Sequence, residues 1–221
     1  MGNLPFGVSQ DAVHLVAEKI RHIHLQGMEI GIVLGGGNIF RGIQQGSSWG
    51  LPRSPADQIG MLATLINGIT LQQALIQKGC PVVILSAIEC PLVGETYQWE
   101  KGMRFLKEGK IVLFVGGTGH PYFTTDTAAA LRACEIEADL FLKGTTKVDG
   151  VYDQDPRQNK HAKKYDQITY KEVLDQRLGI LDLTAVTLCM TAAIPIRVFN
   201  FLSESLLDAV SEAPIGTIIR G

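Results

Sequence analysis

The sequence predicts an α/β protein with a mostly parallel central sheet between helix layers. Three observations carry this expectation. Short apolar runs such as "PVVILSAI" and "KIVLFV" alternate with stretches whose apolar residues recur at helical spacing. The short runs are apolar throughout, not at every second residue, which is how strands covered on both faces read. Strand and helix repeated in turn require right-handed crossovers, so the strands run parallel in a three-layer α/β/α arrangement. The 221 residues, 46% hydrophobic and 19% charged, suffice for a buried core and fit a single domain over residues 1–221.

The elements follow in order. "SQDAVHLVAEKIRHIHLQG" is a helix: Ser9 caps it, Asp11 suits its positive end, and Gly27 stops it. Val13, Val16, Ile20 and Ile23 recur on one face, which should meet the sheet. "MEIGIVLGGG" is the next strand and its exit. A helix follows from about Asp57 to Gln77, then the strand "PVVILSAI", a helical stretch around "TYQWEKGMRFLKEG" and the strand "KIVLFVGG". "TTDTAAALRACEIEA" is a helix and "DLFLKGT" a strand. "TYKEVLDQRLGILDLTAVTLCMTAA" is mostly helical, "IPIRVFN" a strand, "SESLLDAV" a short helix and "GTIIR" the last strand. The polar segment "YDQDPRQNKHAKKYDQ" reads as a surface excursion.

Composition narrows the function. Twenty basic against 22 acidic residues, with no Lys/Arg stripe, do not suggest a nucleic-acid partner. Cys80, Cys90, Cys134 and Cys189 form no C-x-x-C and have no zinc spacing, so they read as reduced thiols of a cytoplasmic protein. The five histidines form no metal cluster, and no metal ligand is assigned. The apolar runs look too short to span a bilayer, and the N-terminus lacks the pattern of a signal peptide. "MGNLPF" opens like a myristoylation signal, but Phe6 stands where Ser or Thr is required.

Ligands of such sheets bind beyond the carboxyl ends of strands, so the loops there carry the functional reading. The first is "GGGNIFRG". Gly35, Gly36 and Gly37 let a phosphate approach bare amides, and Arg41 adds a bidentate charge. The pattern is neither G-x-G-x-x-G nor G-x-x-x-x-G-K-[ST], and a tight turn with a surface arginine explains it equally well. The second loop is "GGTGHPYFTTD", in which hydroxyls and free amides meet a helix start. Capping by Thr124 or Thr125 accounts for part of it, though not for eleven polar, glycine-rich residues. The third is "KGTTKVDGVYDQDP". There Tyr152 would flank a flat ring and Asp155 would accept from a ribose or an amino group, while a solvated loop is the simpler account. Three such loops at one sheet edge would suit two phosphorylated ligands. Phosphoryl transfer needs mainly positioning and charge neutralisation, which fits a chain with no Ser-His-Asp set.

"GGGNIFRG", "DQIGMLATLINGITLQQAL", "GTGHPYFTTDTAAALRACEIEAD", "TKVDGVYDQDP" and "IPIRVFN" together resemble the bacterial uridylate (UMP) kinases, of the amino-acid-kinase fold. The resemblance runs from about Phe6 to Ile219. Acetylglutamate kinase, aspartokinase and carbamate kinase share a glycine loop but are not expected to carry D-x-x-G-M-L-A-T or G-T-G-x-P-x-F-T-T-D.

The resemblance implies transfer of a phosphoryl group from ATP to UMP with Mg2+ on the phosphates, in pyrimidine nucleotide biosynthesis. It implies that UMP is held by Gly36, Asp57 (through the ribose) and Thr118, Gly119, His120, Pro121, Tyr122, Phe123, Thr124 and Thr125. It places Gly37, Thr146, Tyr152 and Asp155 on ATP. Arg41 would span the transferring group, and Asp126 would orient it or a magnesium-bound water. It also implies a homohexamer, with GTP activating and UTP inhibiting in many members. The acceptor phosphate, with a second pKa near ~6, is mostly dianionic at neutral pH and needs no general base.

Two departures stand out. Members of the resembled family open with a strand ending Lys-x-Ser-Gly-Glu, and "MGNLPFGVSQDAV" fits the segment just after it. Either the natural protein is longer, which the intact downstream motifs favour, or this is a shortened and weakened member. His120 stands where Asn is frequent, beside the base pocket. Two alternatives to a UMP kinase remain at this stage. One is a non-catalytic nucleotide-binding or regulatory protein on the same scaffold. The other is a related kinase of an acyl or carbamoyl acceptor, which would need neither Asp57 nor the T-T-D loop.

Overall fold

The computed structural model describes residues 7–41, 46–211 and 213–221. Phe6 and Gly42, at the edges of two quoted motifs, and the "MGNLPF" start lie outside the described residues. In order, the elements are α1 (Gln10–His24), β1 (Gly31–Val33), α2 (Arg53–Gln77), β2 (Val82–Ser86), β3 (Glu95–Thr96), α3 (Trp99–Lys107) and β4 (Ile111–Val115). There follow α4 (Thr125–Glu135), β5 (Phe141–Thr145), β6 (Val151–Tyr152), β7 (Lys164–Tyr165), β8 (Gln167–Thr169) and α5 (Tyr170–Asp175). The chain ends with α6 (Leu183–Thr191), β9 (Ile196–Asn200), α7 (Leu206–Ala209) and β10 (Thr217–Arg220). Two compact units divide inside α4, at Ala128.

In the first unit the sheet order is β1-β4-β2-β3, and every pairing is parallel. The central strand β4 is buried at all five positions, as its uninterrupted apolar run predicts. Each of its large side chains contributes about 1.5–3 kcal/mol by leaving water. Helix α1 starts where expected: the Ser9 hydroxyl accepts from the Ala12 amide at 3.4 Å. Its buried residues Val13, Ala17, Ile20 and Ile23 sit at helical spacing, and α1 packs along α2, with α2 in turn on β2 and β4. By length and hydropathy α2 would span a bilayer, which the sequence reading did not anticipate: one 18-residue window has mean hydropathy 1.4. Here its buried side lies on the sheet, and it leaves Leu62, Ile66, Ile69 and Ile76 exposed.

The second unit has its own core, built from β5, β8, β9, β10, α5 and α6. Its sheet order is β5-β9-β10-β8, with β10 antiparallel to β9 and parallel to β8. The α/β class with parallel strands and covering helices therefore holds, and the described strands form two four-stranded sheets plus a hairpin. Helical periodicity through 170–193 is interrupted: Asp182 accepts from the Ala185 amide at 2.7 Å and starts α6 afresh. The excursion after β5 contains the β6–β7 hairpin, joined by Val151↔Tyr165 and Tyr152↔Lys164.

All four cysteines are free thiols. Burial pushes the Cys189 thiol up to about 12, so it is inert at neutral pH.

Candidate active site

Because β1 and β4 are parallel neighbours (Val33↔Phe114), their carboxyl ends release residues 34–41 and 116–124 side by side. Two of the three loops singled out in the sequence thus share one sheet edge. The third leaves β5, a strand of the second sheet.

The three glycines of the first loop have different reasons to be glycine. A Cβ on Gly36 would stand 2.4 Å from the Gly60 carbonyl oxygen and 2.9 Å from Ala63 Cβ, so the loop rests directly on α2. A Cβ on Gly35 would stand 3.2 Å from Thr125 Oγ1, which brings the two loops together. A Cβ on Gly37 would meet nothing within 4 Å. No hydrogen bond runs from the N–H of Gly35, Gly36 or Gly37 to any described residue, although Gly36 is buried. Unpaired amides there suit an anion. Two asparagines fix the loop. Asn38 and Asn67 exchange side-chain amide bonds at 3.0 and 2.7 Å, and their remaining N–H groups reach the carbonyls of Gly7 at 3.0 Å and Gly35 at 2.7 Å. Asn67 is wholly buried, and all four of its and Asn38's donor positions are satisfied. Arg41 is exposed at the far end, with Nε donating to the Gly37 carbonyl at 3.1 Å.

The second loop bends through left-handed backbone at Gly116, Gly117, Gly119 and Tyr122, the last with φ 74°. For tyrosine that conformation is costly and needs outside support. Helix α2 supplies it at both ends of the loop. The Gly116 amide donates to Thr64 Oγ1 at 2.7 Å, and the Tyr122 amide donates to Asp57 Oδ2 at 2.8 Å. Thr118 Oγ1 bonds the backbone of His120, as donor at 3.1 Å and acceptor at 3.2 Å, so the Thr118 side chain fixes the His120 main chain while the His120 side chain is exposed. Thr124 Oγ1 accepts from the amides of Asp126 at 3.1 Å and Thr127 at 3.3 Å, which makes it the cap of α4. The capping account is thus correct for Thr124. Tyr122 and Phe123 are largely exposed, and Asp126 sits in the first turn of α4.

In the second unit Thr146 is exposed. Tyr152 donates its hydroxyl to Asp149 Oδ1 at 2.6 Å, a bond that raises its pKa to about 12. Burial pushes Asp149 up, but the bonds from Tyr152 and Lys164 outweigh it and hold the carboxyl below its ordinary value. Asp155 is gripped by Arg157 through Nε at 3.0 Å and NH2 at 2.8 Å, which holds its pKa near 2. Tyr152, read from the sequence as flanking a ring, and Asp155, read as an acceptor, therefore both have protein partners here.

Sequence reasoning missed three contributors: Thr64, Asn67 and Arg53. All lie on α2, and only their distance from the loops in sequence hid them. Arg53 Nε donates to Asp57 Oδ2 at 2.6 Å, and its guanidinium carbon lies 5.3 Å from the Tyr122 ring centre. Among the described residues no group of three or more His, Cys, Asp or Glu side chains could hold a metal ion.

Glycine amides with no partner among the described residues, a capped helix start and an arginine lie at one parallel-sheet edge, an arrangement that suits an anionic ligand. The model of the amino acid kinase family matches residues 6–200, and the chain belongs to that family. The uridylate kinase of Protochlamydia amoebophila is 53% identical over 222 aligned residues, spanning 99% of this chain and 88% of its own. The UMP kinase structure from Ureaplasma parvum superposes with TM-score 0.93 at 35% identity, over 100% of this chain and 94% of that one. The UMP kinase structure from Bacillus anthracis superposes with TM-score 0.94 at 34% identity, over 99% and 90% of the two chains.

Proposed function

We propose that this protein is a UMP kinase, transferring the γ-phosphoryl group of ATP to UMP to give UDP and ADP. The observation that carries this reading is the pairing of β1 with β4, which sets the unpaired amides of Gly35–Gly37 beside the T-T-D loop. Similarity to named UMP kinases over nearly the whole chain supports the substrate.

UMP takes the α2-supported side. Gly36 and residues Thr118, Gly119, His120, Pro121, Tyr122, Phe123, Thr124 and Thr125 form its bed. Asp57 keeps Oδ1 for the ribose, since its described bonds go to Oδ2. ATP takes Gly37, Thr146, Tyr152 and Asp155. A phosphate oxygen of UMP attacks the γ-phosphorus as the bond to the ADP oxygen breaks. Arg41 neutralises charge on the moving group, and Asp126 orients it or a magnesium-bound water. Magnesium bound with ATP would supply positive charge on the phosphates. We read the two units as one amino-acid-kinase domain of a cytoplasmic protein that binds neither nucleic acid nor membrane. The exposed stripe Leu62, Ile66, Ile69 and Ile76 on α2 supports self-association, as a homohexamer by resemblance.

ADP formation with ATP, magnesium and each nucleoside monophosphate in turn tests the function. UMP-selective turnover is expected. Equal turnover with AMP or CMP, or none with any acceptor, would refute it.

A further inference from the structure

Helix α2 begins against the ordinary rules of helix stability. Its N-cap is Pro52, which offers no capping side chain, and its first turn has no acidic residue. The first helical residue is Arg53, a cation at the positive end of the dipole. A local rule broken at a helix start is expected where a residue serves a site.

The partners of Arg53 show which site. Nε donates to Asp57 Oδ2 at 2.6 Å, one helical turn on, and that same oxygen accepts the Tyr122 amide at 2.8 Å. The guanidinium also faces the ring of Tyr122, 5.3 Å from its centre, within cation–π range. Tyr122 is the one non-glycine residue of its loop with positive φ. Arg53 thus holds Tyr122 twice, by the ring and by the carboxylate that takes its amide. The Asp57 side chain is only 13% exposed, so its direction is set by these partners more than by water.

We propose that Arg53 is a positioning residue for UMP: it aims Asp57 and pins Tyr122, so that residues 118–125 are set before the acceptor nucleotide arrives. This rests on the UMP-kinase reading. It adds a residue that need not touch substrate, acting through Asp57 and Tyr122. Lysine would keep the charge but lose the planar fork that serves carboxylate and ring together.

The test is a cycle of Arg53→Ala, Arg53→Lys, Asp57→Ala and the Arg53→Ala/Asp57→Ala double variant in the full chain. Steady-state kinetics are read alongside hydrogen exchange at the Tyr122 amide without ligand. Arg53→Ala should raise KM for UMP about tenfold, leave KM for ATP unchanged and speed Tyr122 exchange. Arg53→Lys should fall between it and wild type. The double variant should bind UMP no worse than Asp57→Ala. Additive losses would mean direct contact with substrate and overturn the proposal. So would an unchanged KM for UMP, or equal rises in both KM values with a lowered melting temperature. If the wild-type chain does not phosphorylate UMP, the functional reading fails, and the exchange data alone decide whether Arg53 sets the loop.

Discussion

The loop after β4 and the loop after β5 are both polar, glycine-containing strand exits, yet different partners hold them. The first is shaped by its main chain and tied to α2 through Thr64 and Asp57. The second is tied by the β6–β7 pairing, by the Val151 amide on Thr217 Oγ1 and by side-chain pairs within the loop, Tyr152 to Asp149 and Asp155 to Arg157. A loop fixed through its backbone keeps its shape when a ligand arrives. A loop whose acceptors already have partners must exchange them. Under the proposed function, UMP would meet a loop already set by α2, and ATP would meet side chains that exchange partners.

The largest expected effect concerns charge. Arg41→Ala should lower kcat about 10²–10³-fold while the melting temperature stays put, because the side chain is exposed. A fall in melting temperature as large as the fall in rate would return Arg41 to a turn-forming role. Next, the two inner glycines should part company. Gly36→Ala drives a methyl to 2.4 Å from the Gly60 carbonyl oxygen and should cost about 1–3 kcal/mol in denaturant unfolding. Gly37→Ala meets nothing within 4 Å and should lower turnover with no loss of stability.

Thr64→Val leaves the buried Gly116 amide without its acceptor, and about 1–3 kcal/mol of stability should go with it. The smallest effect is a titration in the second loop. Tyr152 should ionise near 12 instead of near 10, and Asp149→Asn should bring it down. The sign follows from the raised value. The stabilisation is complete below pH 10 and is lost as pH climbs toward 12. Tyrosinate absorbance compared with Tyr152→Phe isolates this group, and an unmoved titration would break the contrast between the loops.

The strand exits were legible in the sequence because glycine clusters after apolar runs have few other uses. Ser9, Gly27 and the apolar face of α1 were legible for the same local reasons. Sheet order was not. Alternation of strand and helix says that crossovers occur, but not which strands become neighbours, so the loop after β5 was placed on the same sheet as the other two. The β6–β7 hairpin escaped because two-residue strands rich in lysine and tyrosine carry no apolar run. The support from α2 was invisible for a different reason. Thr64 lies 52 residues from the amide it accepts, and a threonine in an apolar helix looks like filler. Asp57 was read as a ribose acceptor from the resemblance, and its second task, holding the Tyr122 amide, needed coordinates.

Hydrogen exchange by mass spectrometry on the full chain tests the two-loop account most directly, with UMP and a non-hydrolysable ATP analogue added separately. UMP should protect residues 35–36 and 117–127 beyond an already slow Gly116 amide, and the ATP analogue should protect 37–41 and 145–159. Protection of 145–159 by UMP, with residues 117–127 unchanged, would contradict it.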